Sequence, residues 1–68
     1  MTTPTYPDIT VQLTGTDGNG FALISRVATA LKRDGIPREQ ITEFLGRAAI
    51  APSYDELLTY LAETVNVE

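Results

Sequence analysis

The sequence predicts an α+β domain of order β-α-α-α-β, with three helices packed on one face of a small two-stranded sheet. Three observations carry that prediction. Asp8 to Thr14 alternates, sending Ile9, Val11 and Leu13 to one face and Thr10, Gln12 and Thr14 to the other. Period two with β-branched residues marks a half-buried strand. Three stretches of helical period follow, punctuated by Gly35 and Pro52. The tail Thr64-Val65-Asn66-Val67-Glu68 alternates again and reads as a short strand. With only two strands predicted, Val65–Val67 is expected to pair with Ile9–Leu13, in a direction the pattern leaves open.

Each element has a local reason. Residues 1–7 hold Pro4 and Pro7 among Thr and Tyr, and read as a flexible, extended arm. Gly15 to Gly20 (G-T-D-G-N-G) is a turn, where Gly15 or Gly18 can take positive φ and Asp17 or Asn19 can cap the next helix. Phe21 to Asp34 places Phe21, Ile24, Val27, Ala28 and Leu31 at helical spacing. Lys32 and Arg33 suit its last turn, and Gly35 its C′ stop. Ile36-Pro37 opens the second helix, whose stripe is Ile41, Phe44, Leu45 and Ala48. Ser53-Tyr54-Asp55-Glu56 is a capping box opening the third, with Tyr54, Leu57, Leu58 and Leu61 inward. The expected core is Phe21, Ile24, Val27, Leu31, Phe44, Leu45, Leu58 and Leu61.

Composition narrows the chemistry. Sixty-eight residues make one domain, spanning 1–68, near the lower limit of what folds without staples. There is no Cys or His, so thiolate and imidazole chemistry, both as metal ligand and as catalyst, is excluded. Ser53 is spent on a cap and Asp55–Glu56 is a first-turn acidic pair. No catalytic residue, cofactor site or metal site is therefore expected, and the chain reads as a non-enzyme. The N-terminus lacks the basic start and apolar run of a secretory signal, and no apolar run approaches roughly 18 residues. A cytoplasmic protein is the expectation.

Three motifs suggest chemistry and each has a plainer reading. Aligning D-G-N-G with a calcium loop puts Gly15 at the first ligand position and Arg26 at the twelfth, where carboxylates are needed. It reads as a turn and cap. The same Gly-rich turn lacks the Lys and Ser/Thr of a phosphate loop, and Asp17 lies where an anion would sit. All five basic residues fall between Arg26 and Arg47, where they leave a local net charge of +2 within a chain of −4. Lys32, Arg33 and Arg38 flank one inter-helix turn, but Glu39 and Glu43 lie on the would-be reading helix and repel phosphate.

The run Leu13-Thr14-Gly15, Asp17-Gly18-Asn19, Phe21, Arg26-Val27, Ala30-Leu31, with Tyr54-Asp55, Leu57-Leu58, Val65 and Val67, resembles a family of small uncharacterised proteins of actinobacteria and actinobacteriophages. The resemblance covers most of the chain after residue 8. The chain departs from it at Gly20, where Ala is usual, and at Ala51-Pro52-Ser53, where Ser-Gly-Asp is usual. The resemblance implies a fold and a cytoplasmic origin and brings no activity with it.

What remains is a non-enzymatic protein–protein interaction module. Its expected partner is a second copy, as a homodimer, or another protein, met through the sheet at Thr10, Gln12 and Thr14. No membrane partner is expected and nucleic acid is disfavoured. The alternative reading is a nucleic-acid-associated regulator using the Arg26–Arg47 segment, with Lys32, Arg33 and Arg38 as its contacts.

Overall fold

The computed structural model describes residues 3–13 and 20–68. Its order is β1 (Tyr6–Val11), α1 (Gly20–Arg33), α2 (Arg38–Ala49), α3 (Tyr54–Thr64) and β2 (Val65–Val67). The two strands pair in parallel, Thr10 beside Asn66 and Val11 beside Val67. A parallel pair needs a long crossover, and the three helices are that crossover. Ile9, Val11 and Val65 are buried under them while Asp8, Thr10, Gln12 and Asn66 stay exposed, so the helices cover one face of the sheet.

β1 starts earlier than the alternation suggested. Tyr6 and Pro7, read as the end of a flexible arm, are its first residues. Thr5 N–H donates to Glu63 O at 2.9 Å, and Tyr6 Oη donates to Gln40 Oε1 at 2.6 Å. Proline has no N–H to give to a ladder. The register slips between Tyr6 and Thr10, and there the Asn66 side-chain amide donates to Pro7 O.

α1 buries Leu23, Val27 and Leu31, one residue per turn. At 3.6 residues per turn Phe21 lies about 120° round the helix from Val27, outside that stripe. It is 79% exposed, so its place in the expected core is corrected. Gly20 lies inside the stripe instead, and a Cβ there would come 3.2 Å from Leu57 Cδ2. Glycine lets the start of α1 approach α3 closely. At the other end Gly35 takes φ 83°, Ile36 N–H donates to Leu31 O and Gly35 N–H to Lys32 O. That is a Schellman stop, and the positive φ makes glycine the fitting residue.

α2 begins at Arg38, with Pro37 as its N-cap rather than its first helical residue. It buries Phe44 and Ala48 and half-buries Ile41, against α1 and α3. Leu45 falls beside this narrow stripe and is 40% exposed, a second correction to the expected core. In α3 the Ser53 hydroxyl accepts from Glu56 N–H at 3.2 Å, the first half of the capping box, contributing about 1 kcal/mol. Leu57 and Leu61 are buried, Leu58 is half-buried, and Tyr54 stands 44% exposed rather than inward. Val65 donates its N–H to Leu61 O while already extended, so α3 passes into β2 with no loop. Thr64, buried at that joint, is satisfied by donating to Tyr60 O at 2.8 Å.

Leu31 and Phe44 are nearly inaccessible and interior to this packing. Leu31→Ala and Phe44→Ala should each cost about 3 kcal/mol, much of the stability of so small a domain. Phe21→Ala removes a side chain already in water, and should shift a thermal melt far less than either. Equal shifts from all three would show the helix faces to be misassigned.

Candidate functional site: the outer edge of β1

Hydrogen bonds orient the backbone of β1. Glu68 N–H donates to Val11 O at 3.0 Å and Leu13 N–H to Glu68 O at 2.8 Å. The backbone groups of Val11 and Leu13 thus face β2, and alternation turns those of Thr10 and Gln12 to the opposite edge. Arg26 fits this arrangement, its Nη1 lying 3.5 Å from Gln12 O. The sheet holds two strands, so no strand flanks that outer edge among the described residues.

The edge forms one wall of an open groove of about 560 Å³, and α1 forms the other. From β1 come Asp8, Thr10 and Gln12, and from α1 come Arg26, Thr29 and Arg33, with Asp34 just beyond the helix. Arg26 and Arg33 are seven residues apart, two helical turns, hence on one flank and about 10 Å from each other along the axis. The Gln12 end of the groove carries Arg26. The Asp8 end carries Asp8 and Asp34 against Arg33, so the groove is polarised along its length.

The residues expected at an interface divide accordingly. Thr10 and Gln12 are exposed and line the groove together with Arg33. Lys32 and Arg38 are exposed but lie outside its lining. Thr14, and the Asp17–Asn19 turn weighed for capping, anions and calcium, fall outside the described residues. Arg26, Asp8 and Asp34 were not singled out as interface residues. The i, i+7 spacing of Arg26 and Arg33 was the available signal, and it needed the position of β1 to acquire meaning.

Besides one of about 400 Å³ among Leu13, Leu23, Tyr54, Leu58 and Val67, two other depressions lie among the described residues. One, of about 380 Å³, is apolar and lies among Phe21, Ile24, Ala48, Ala51, Tyr54 and Leu57; Ile50, exposed like Phe21, is the next residue after α2. The other, of about 490 Å³, lies among Tyr6, Gln40, Glu43, Arg47, Tyr60 and Glu63. Among the described residues no three His, Cys, Asp or Glu gather as a metal site would require. No described helix is long and apolar enough to cross a membrane. Compared with family models, with curated proteins and with solved structures, the chain finds no match in any of the three.

Tyr60 is a titrating group whose surroundings shift it. Its ring stacks on Phe44 with centroids 5.7 Å apart and planes 17° from parallel. Burial pushes its phenol above the ordinary 10.0, only partly offset by Thr64 and by the Arg47 charge. The fold thus favours the neutral phenol. The stability this contributes is whole below the unfolded value of about 10 and is lost as pH rises through the higher folded value. The denaturation midpoint should fall in that alkaline range, and Tyr60→Phe should blunt the fall. An unchanged alkaline profile in Tyr60→Phe would rule this source out.

Proposed function

We propose that this protein is a non-enzymatic interaction module whose β1 edge accepts an extended segment of another protein chain. The observation that carries the reading is the outward-facing backbone of Thr10 and Gln12, set in an open groove beneath α1. Gln12 O is reached by Arg26 Nη1 at 3.5 Å, while Gln12 N–H and both Thr10 groups need a hydrogen-bonding partner, either water or a strand. An added strand would gain main-chain bonds from β1 and be walled by α1, with Arg26 and Arg33 placed to hold its carbonyl or carboxylate groups. The polar side chains at the edge suit a wet interface of modest size.

The test uses a tagged chain offered both untagged copies of itself and a cell lysate. Thr10→Pro removes one outward donor, and Thr10→Lys with Gln12→Lys places charge on the open face while sparing the buried stripe. Circular dichroism confirms that each variant folds. Capture should be lost in the edge variants and kept in Ile50→Glu, which alters the apolar depression. Loss in Ile50→Glu with retention in the edge variants would move the binding surface to the helices.

The second reading, a nucleic-acid-associated regulator, draws on exposed Lys32, Arg33 and Arg38 around one turn. Asp34 and Glu39 interrupt that cluster, and Arg47 is engaged with Glu43 at 3.7 Å. Fluorescence anisotropy with DNA or RNA at low salt, where counterion release most favours binding, should stay flat at micromolar protein. Salt-sensitive binding abolished by Arg33→Glu with Arg38→Glu would promote the second reading.

A further inference from the structure

Resting on the strand-addition reading, we infer that the segment received is β1 of a second copy, antiparallel and related by a two-fold axis through Thr10. Asp8, Thr10 and Gln12 occupy alternate positions, with Thr10 at their centre. A two-fold axis there pairs Thr10 with its own copy, Asp8 with Gln12 of the second copy, and Gln12 with Asp8 of the second copy. Thr10 N–H and O then meet their copies, Gln12 N–H faces Asp8 of the second copy, and Gln12 O, reached by Arg26 Nη1 at 3.5 Å, keeps a second lone pair for the incoming strand; the surface is self-complementary, as a closed dimer requires.

The polarity of the groove selects this direction. Antiparallel pairing lays the Arg26 end of each copy against the Asp8–Asp34 end of the other. Parallel pairing about a two-fold axis would put the two α1 helices on opposite faces of the sheet, where the charges of the two groove walls could not meet. Thr29 and Ala30, midway between Arg26 and Arg33 on the groove wall, are small where the two α1 helices would face each other. Pro7 is no obstacle. Its carbonyl meets Asn66, so its missing N–H belongs to the β2 side. No Lys or Pro occupies positions 8, 10 or 12 to discourage an added strand. The product is a four-stranded sheet, β2-β1-β1-β2, with both helical layers on one face.

The experiment is light scattering and sedimentation of the full chain over a concentration series, with a charge swap across the axis. Wild type should be a dimer. Arg26→Asp and Asp8→Arg alone should each raise the dimer dissociation constant by about tenfold or more, since each opposes like charges. Arg26→Asp with Asp8→Arg together should restore it. Within one copy the Asp8 and Gln12 ends of β1 are about 13 Å apart, beyond a Debye length of about 8–10 Å. Recovery therefore reports pairing between copies. A dimer indifferent to all three variants, or one lost only in Ile50→Glu, would overturn the inference. So would a wild type that stays monomeric at the highest concentration. If that monomer still captures another protein through Thr10 and Gln12, strand addition survives and only the identity of the strand is wrong. If it captures nothing through the edge, both fail.

Discussion

Everything in this domain depends on a parallel pairing between the two ends of the described chain. β1 and β2 lie on either side of three helices, so their pairing closes only when the whole crossover is in place. A two-stranded sheet is marginal on its own. Here its buried face consists of Ile9, Val11 and Val65, and it gains stability by packing under the α1 stripe of Leu23, Val27 and Leu31 and under Leu61. The absence of a loop between α3 and β2 makes the constraint stiff. Thr64 and Val65 are helix end and strand start at once, and both are buried. Whatever orients α3 therefore also aims β2 along β1.

Much of this was legible in the residues. The alternation of Ile9 and Val11 gave the strand its faces, and Ser53 with Glu56 marked the start of α3. Gly35 gave the end of α1, because positive φ has a strong residue preference. What could not be read has physical causes. Strand direction is not written in a period-two pattern, since both pairings alternate. Thr5, Tyr6 and Pro7 are held by Glu63, Gln40 and Asn66 respectively, all more than thirty positions away. Phe21 and Leu45 read as inward from sequence because an apolar residue beside a stripe resembles a member of it. Which neighbour a helix meets decides how wide its buried face is, and α2 meets little besides α1 and α3.

The interface residues show the same division. Thr10 and Gln12 follow directly from the alternation, as its polar half. Arg26 acquires a role only once α1 lies beside β1 and its guanidinium reaches Gln12 O. Of a cluster counted along the chain, Lys32-Arg33 with Arg38, only Arg33 lines the groove, and Arg26, seven positions before it, comes to the same groove. Net charge by segment was thus a weaker guide than charge by helix flank. A local +2 suggests a basic patch, yet the groove that holds Arg26 and Arg33 also holds Asp8 and Asp34, and polarity replaces excess.

The sheet has two outer edges, and their lengths decide between them. β2 has three residues, and its Glu68 N–H and O face β1. By alternation only Val65 and Val67 present backbone groups outward there, and Val65 lies at the joint with α3, fully buried. So short an edge offers an incoming strand almost no ladder. β1 has six residues, and its register slips within β1 itself between Tyr6 and Thr10, where the Asn66 side chain reaches Pro7 O. Past the slip, alternation turns the backbone groups of Thr10 and Gln12 to its outer side. The outer edge of β1 is therefore the longer of the two and the one with backbone groups in the open groove, which is what an added strand requires.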